Sequence, residues 1–509
     1  MQITNIKSWR SALVLLVTIA ITAIIFFEGG AVSVAVPHIQ REFGANLSQI
    51  QWVANSYALV LSVFILISGS LGDIFNRKKI ILVGLALFGG GGLFAGIAQN
   101  IPEMLIFRVI QGLGGAILMP QSLAIINAEF VSKIQGKAIG IWTASTSFLL
   151  IFGAYLAGLM IDNWGWRSVF ISTFPLSAVC AILTYFILGK DVRVKRVVQS
   201  FDWAGMLTLG LGLFGIFFAL IQIPVLGWTS WQIICAALAG VVFLIGFVLV
   251  ERRIKYPLID FQVLAKNNIL AANVFTLLLY ATSNGLLFFI SIFMQQVLGF
   301  SAANAGLGIL PMVVSIVLLS VISGSLADKV QSKLLMLAGA LMVSGGFLWM
   351  GINVTQQGYW TSVAPGLVLV GSGFGLFIPS LTKEALNVEP KHSGLASGLN
   401  NSVSTIAGLL GVAVFSLLVS SLFSGNLKTE LNQSDFNSEQ KSQALDLTEK
   451  LIETPTPSNL NSDQKNLFED MKKSSFTKAY KWELFVSASI CLMGAGSAVL
   501  LKSSKRKEE

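Results

Sequence analysis

The chain alternates long apolar runs with short polar connections, and the runs have the length that a membrane-crossing helix requires. About 20 residues rising 1.5 Å each cover roughly 30 Å of hydrocarbon. Fourteen stretches meet that requirement: 11–37, 50–72, 80–99, 104–128, 138–161, 168–188, 203–222, 231–250, 267–294, 303–326, 334–353, 361–382, 395–423 and 484–501. Backbone polar groups in lipid must be satisfied within their own segment, so each run is read as an α-helix. The pattern predicts an all-α membrane protein with 14 transmembrane helices. The run from Lys7 through Phe27 is expected to be a retained first helix, because its apolar character continues past Glu28 and thirteen further runs follow.

Composition agrees, with 54% apolar and 12% charged residues against about 25% charged in a soluble domain. The net charge of +9 follows the connections and calls for no nucleic acid. With the N-terminus cytoplasmic, twenty-three Lys and Arg residues fall on inside segments, and only Arg41 and Arg167 fall on the short outside loops. That asymmetry predicts a multi-pass protein of the cell (cytoplasmic or inner) membrane with both termini on the cytoplasmic side. Cys180, Cys235 and Cys491 lie within apolar runs, where a thiol is a small hydrophobe, and imply no disulfide framework. His38 and His392 are far apart, so neither a metal nor another cofactor is expected.

The segment 424–483 is rich in Asn, Ser, Gln and Lys and is broken by Thr-Pro-Thr-Pro at 454–457. Ala444, Leu445, Leu447, Leu451 and Ile452, and then Leu467, Phe468 and Met471, fit two short amphipathic helices, with a flexible loop as the alternative. One internal repeat is visible: Gly69-Ser70-Leu71-Gly72-Asp73 ends the second run, and Gly324-Ser325-Leu326-Ala327-Asp328 ends the tenth, 255 residues later. Gly114 with Pro120 parallels Gly373 with Pro379. The division expected is a six-helix bundle over 1–200, two inserted helices over 201–255 and the remaining bundle helices over 256–423. An extracytoplasmic loop over 424–483 and a last helix with a cytoplasmic tail over 484–509 complete it. Duplicated bundles around a central site are a transporter architecture, because rocking one against the other exposes the site alternately.

Four signals carry a resemblance to a known family. The loop 69–79 has Gly69, Leu71, Asp73, Arg77 and Lys78 in the positions of the major facilitator superfamily's loop between helices 2 and 3, and Trp52, Tyr57 and Leu59 lead into it. In the fourth run Arg108, Gln111, Gly112 and Gly114 fit the pattern Arg-x-x-Gln-Gly. In the first run Glu28, Ala35 and Pro37 fit Asp-x-Thr-x-x-Asn-x-Ala-x-Pro, with Gly30 and Ser33 departing. Phe201-Asp202-Trp203, with Glu251 and Pro257, is similar to the 14-span drug:proton antiporter branch. That branch's fifth-helix pattern, Gly-x-x-x-Gly-Pro-x-x-Gly-Gly, falls on Leu149, Gly153, Ala154, Ala157 and Gly158, so its proline and two glycines are replaced. The resemblance implies the major facilitator fold, with two six-helix bundles plus two inserted helices. It implies proton-coupled export of small amphiphilic compounds, with Arg108 and Gln111 taking part in proton transfer. Its partners would be protons, the substrate and the lipid bilayer, and an accessory periplasmic or envelope protein is left open.

The residues themselves support parts of this. Glu28 follows Phe26 and Phe27 inside the first run, where a charged carboxyl is costly, so it reads as a proton site or a cation's counter-charge. A hydrated position near the outer mouth is the bland alternative. Arg108 does not discharge and needs a partner, unless it snorkels to the interface. Asp73 and Asp328, beside Arg77 and Lys78, read as a gating latch on the cytoplasmic side. Gly153 with Ala157, and Ala154 with Gly158, keep the four-residue spacing of close helix packing. Phe27, Trp142, Phe148 and Tyr155 are the aromatic candidates for a substrate cavity, although such residues more often pack or face lipid. No nucleophile with a base and no nucleotide-binding loop is visible, so neither an enzyme nor a pump driven directly by ATP is expected. The duplicated bundles and the latch argue against a channel. An uncoupled or differently coupled facilitator of a metabolite or lipid stays open beside the antiporter. Cysteines introduced at Ser434 and Ser504 are expected to label from opposite sides of the membrane; labelling from one side would contradict the 14-span count.

Overall fold

The structure, a computed structural model, describes residues 9–74, 76–130, 132–188, 202–254, 267–326, 330–355, 358–385, 393–445, 448–454, 456–457 and 460–501. Its described residues form helices joined by short irregular connections, without a strand among them. The first eight helices are α1 (Trp9–Phe43), α2 (Leu47–Ile74), α3 (Arg77–Ile97), α4 (Ile101–Glu129), α5 (Ser132–Trp164), α6 (Arg167–Ile187), α7 (Trp203–Leu226) and α8 (Trp231–Glu251). The rest are α9 (Asn267–Ile292), α10 (Ala302–Leu307), α11 (Leu310–Leu326), α12 (Ser332–Asn353), α13 (Ala364–Ala385), α14 (Ser393–Asn432), α15 (Ser438–Leu445) and α16 (Ser462–Val499). Twelve helical stretches among the described residues combine bilayer length with the apolarity of a span, α10 and α11 counting as one. The helices α2 and α5, of 28 and 33 residues, are long enough by length and stand at the second and fifth runs of the sequence.

Local chemistry sets the helix ends. Asn100 caps α4 by accepting from the Glu103 amide at 2.9 Å, and Asp202 caps α7 by accepting from the Gly205 amide at 2.7 Å. The structure departs from the apolar runs in two ways. Short π-turns, Phe293–Val297 and Tyr359–Val363, end α9 and lead into α13; hydropathy carries no signal for them. The other departure is length. With 40 and 38 residues, α14 and α16 extend for about 60 Å and pass well beyond a bilayer core. A capping box starts α16: Asn461 accepts from the Gln464 amide at 2.8 Å, and the Gln464 side chain accepts from the Asn461 amide at 3.1 Å. Leu467, Phe468 and Met471 therefore lie in the first turns of a long helix, while Ala444 and Leu445 end the short α15.

Helices α1 to α6 pack as one bundle, and α9 to α14 with α16 pack as another. The α7–α8 hairpin lies beside α2 and α14. The repeat extends to packing. A Cβ on Gly114 would meet the Gly84 carbonyl of α3 at 2.8 Å, and a Cβ on Gly339 of α12 would meet the Gly373 carbonyl of α13 at 2.7 Å. Gly91 and Gly346 lie two turns further along, where an added Cβ would come within 2.6 Å of the Gln111 amide nitrogen and the Gly366 carbonyl. Gly84 and Gly339, like Gly91 and Gly346, keep the 255-residue offset of the repeated loop. The small residues let paired backbones approach as closely as van der Waals packing in lipid demands.

The bundles meet along α2 with α14, α1 with α9, and α5 with α10. At the end of the molecule that carries the Gly44 and Gly165 turns, the α5–α10 contact is a seam of small residues. A Cβ on Gly158 would lie 2.5 Å from the Ala303 Cα, and one on Gly306 would lie 2.7 Å from the Ala154 carbonyl. The Asp162 carboxylate accepts from the Ala302 and Ala303 amides at 3.1 and 2.9 Å, and Gln295 donates to the Val34 carbonyl at 3.2 Å. Replacing Gly158 by Leu is expected to part this seam. A cysteine at the fully buried Ala305 should then react several-fold faster with a water-soluble thiol reagent than in the Gly158 background; equal rates would show that backbone contact does not hold this end closed.

Candidate functional site

Glu28 lies just past the middle of α1 on the face that buries Ala31, Val32 and Ala35, and its own exposure is 0%. Arg108, two turns into α4, is 1% exposed and forms an ion pair with the Glu28 carboxylate through its Nη1. The same nitrogen donates to Gln111 Oε1 at 2.8 Å, and Nε donates to the Val53 carbonyl of α2 at 3.1 Å. The guanidinium lies 4.8 Å from the Tyr57 ring centre and 5.7 Å from that of Phe170, where cation–π attraction adds to the pair. One arginine thus ties α1, α2 and α4 together and rests against α6.

The spacing Arg-x-x-Gln-Gly has a local reason. Arg108 and Gln111, three residues apart, share one face of α4. Gly112 faces α2, where a Cβ would come within 2.7 Å of the Tyr57 carbonyl, so its hydrogen side chain lets α2 approach closely enough for Arg108 to reach Val53. Polar capacity remains around the pair: Glu28 Oε2, Gln111 Nε2 and the Tyr57 hydroxyl are buried without a partner among the described residues. Such groups are uncommon in folded interiors and favour water or a polar ligand next to the carboxyl. The arrangement can hold a charge in an apolar bundle, and it can exchange that charge for a proton when the arginine moves.

The other sequence-selected residues fall elsewhere. Gly153 packs on α1, where a Cβ would lie 3.1 Å from the Phe27 Cα, and Trp142 donates from Nε1 to Thr22 Oγ1 of α1 at 3.2 Å. Phe27 and Trp142 therefore contribute to the α1–α5 contact. Tyr155 packs edge-on against Phe152 at 5.8 Å, the Ala154 and Gly158 backbones form the seam with α10, and the Phe148 side chain is outside the described residues. Gly69 and Asp73 belong to α2, but their side chains are outside the described residues, as are Phe201 and Asp328 altogether. Arg77 opens α3. Lys78 turns toward α6: its ammonium donates to the Tyr185 carbonyl and, at 3.0 Å, to the Leu188 carbonyl, 4.6 Å from the Tyr185 ring centre. It thereby satisfies carbonyls that the end of α6 would leave open.

Two features escape a reading by apolar runs. Asp202 and Glu251 close the α7–α8 hairpin with carboxylates that crowd Gly205, whose Cβ would stand 2.5 Å from Glu251 Oε1. Glu483 is 0% exposed, although it directly precedes the last apolar run. The signal for it was periodic: Phe476, Ala479, Tyr480, Glu483, Ser487 and Cys491 recur every three or four residues on one buried face of α16.

Residues 18–412 match the sequence profile of the Major Facilitator Superfamily. The multidrug resistance protein Stp of Mycobacterium tuberculosis is 31% identical over 411 residues, 80% of this chain and 76% of that protein. The tetracenomycin C resistance and export protein of Streptomyces glaucescens is 28% identical over 417 residues, 82% of this chain and 76% of that protein. Among solved structures, an inward-facing, unoccupied bacterial homologue of the human lysosomal transporter Spinster superposes with a TM-score of 0.68 at 17% identity, covering 98% of this chain and 100% of that one. Its likeness carries the helical architecture alone, whereas the profile and the relatives carry ancestry. With two glycine-packed helical bundles on one side of that comparison and a profile spanning most of the chain on the other, the protein belongs to the major facilitator superfamily.

Proposed function

We propose that the protein is a secondary active exporter of the multidrug type, moving small amphiphilic compounds out of the cell by alternating access in exchange for protons. The observation that carries this reading is the buried Glu28–Arg108 pair. While the guanidinium stays in place, the carboxylate can remain charged in an apolar bundle. Any movement of α4 against α1 that separates the two leaves an uncompensated negative charge, which a proton neutralises at far lower cost. A pair that alternates between salt bridge and protonated acid is what proton exchange needs. The names of the relatives, resistance and export proteins, support the substrate class.

In this reading both termini are cytoplasmic, so the Gly44 end is extracytoplasmic and the α5–α10 seam closes that end. Asp73, Arg77, Lys78 and Asp328 latch the cytoplasmic side; with Lys78 bound to the end of α6, the basic half of the latch moves with α3 and α6 as one piece. The protein performs no covalent chemistry on its cargo. A second reading has its own observation: Ala154 stands where the antiporter pattern has proline, which favours a facilitator without proton coupling.

Inside-out vesicles offered a panel of amphiphilic cations and aromatic antibiotics separate the two. The wild type is expected to accumulate at least one compound when an inside-acid pH gradient is imposed. Each coupled proton supports up to about a tenfold higher concentration ratio per pH unit. Glu28→Gln, similar in size but unable to titrate, should lose that gradient-driven component while exchange without a gradient persists, and Glu28→Asp should retain part of it. Accumulation by Glu28→Gln equal to wild type would remove the proton role from this residue and leave the facilitator.

A further inference from the structure

The α16 face described above is pressed against α9, α12 and α14. Within it Glu483 accepts a hydrogen bond from the Ser487 hydroxyl at 3.1 Å through Oε1, while Oε2 has no partner among the described residues. One turn earlier Tyr480 is buried with an unpartnered hydroxyl and stacks on Phe293 of the first π-turn at 5.2 Å. Two turns later Cys491 Sγ lies 3.4 Å from Thr282 Oγ1 of α9. From α12, Ser344 donates to the Ala488 carbonyl at 3.0 Å.

Cations nearby are committed elsewhere. Lys478 pairs with Glu430 of α14 at 2.6 Å, Lys472 pairs with Glu469 at 2.8 Å and donates to the Thr454 carbonyl at 2.9 Å, and the Lys481 ammonium lies 5.9 Å from the Phe485 ring centre. From the facing helices, Lys333 of α12 donates to the Val499 carbonyl at the far end of α16, and Tyr280 of α9 packs on Phe374 of α13. The titratable neighbours of Glu483 are then Tyr480 and Cys491, both neutral acids at physiological pH. Unlike Glu28, it forms no ion pair among the described residues. A carboxylate supported by one hydroxyl in such surroundings would carry an uncompensated charge, whereas the neutral acid fits and offers a donor of its own.

We infer that Glu483 is a second proton-binding site, in the C-terminal bundle, carrying its proton in the conformation whose Gly44 end is closed. Its link to that end is physical. Tyr480 stacks on Phe293, the first residue of the turn whose Gln295 reaches across to the Val34 carbonyl of α1. Parting α1 from α9 frees this turn, loosens the stack and admits water to the carboxyl; closing it traps the proton. A role in driving transport rests on the proton-coupled reading above, but the existence of the site does not.

Infrared difference spectroscopy of the purified full-length protein in lipid nanodiscs tests this without a ligand. At neutral pH the wild type is expected to show the carbonyl band of a protonated buried carboxyl. The band should be retained in Glu28→Gln and lost in Glu483→Gln, a neutral isostere that disturbs packing little. A band that survives in Glu483→Gln would overturn the proposal. If Glu28→Gln retains gradient-driven accumulation while Glu483→Gln loses the band, the assignment of coupling to Glu28 falls and the second proton site stands.

Discussion

A full positive charge held in the middle of an apolar helical bundle is the constraint around which the N-terminal half is arranged. Arg108 cannot discharge, so its surroundings must supply compensation, and they do so from several directions: the Glu28 carboxylate, the Gln111 side chain, the Val53 carbonyl and the faces of Tyr57 and Phe170. A buried pair of this kind adds little net stability compared with apolar residues of the same shape, yet losing one partner costs about 3–5 kcal/mol. The pair is therefore weak evidence for stability and stronger evidence for function. While it is formed, it fixes α1, α2 and α4 relative to one another.

The close glycine crossings serve the same end. Where Gly84 meets Gly114, and Gly339 meets Gly373, backbones touch with no side chain between them, so neither crossing can slide without a clash. These crossings hold α3 to α4 and α12 to α13, and leave motion to α1 against α4 and to the contacts between bundles. The α5–α10 seam is built of Gly158, Ala303, Ala154 and Gly306, residues without rotamers to reorder, closed by the hydrogen bonds that Asp162 accepts from the Ala302 and Ala303 amides, while Gln295 donates to α1 nearby. Such a contact can open and reclose with little side-chain entropy at stake, which suits a transporter that must do so in every cycle.

Much of this was legible in the chain. Span positions follow from apolar length, and Glu28 and Arg108 stand out because ionisable residues within spans are rare. The chain marked both for proton coupling, with Arg108 as the charge partner of a carboxylate, but the geometry of their contact was not legible, since 80 residues separate them and no local pattern encodes the angle between α1 and α4. The repeated loop was visible, but the partner of Lys78 on α6 was not, because main-chain carbonyls leave no mark on a sequence. Glu483 was passed over because a hydropathy window treats a carboxyl as the edge of a span, whereas α16 runs through it for 38 residues. The signal that would have found it, an apolar face recurring every three or four residues on both sides of the acid, belongs to helix periodicity. The π-turns left no hydropathy signal.

The role of the buried pair is tested most directly by a double-mutant cycle on thermal unfolding of the purified protein, using Glu28→Leu, Arg108→Leu and the combined variant at neutral pH. If the two side chains compensate each other, Arg108→Leu is destabilising, by up to about 3–5 kcal/mol and by less where proton uptake neutralises the carboxylate left behind. Adding Glu28→Leu should then restore most of that loss, giving a coupling energy well above the roughly 0.5 kcal/mol of independent sites. Additive losses in the double variant would contradict a functional pair and would make Arg108 a packing residue whose charge Glu28 does not hold.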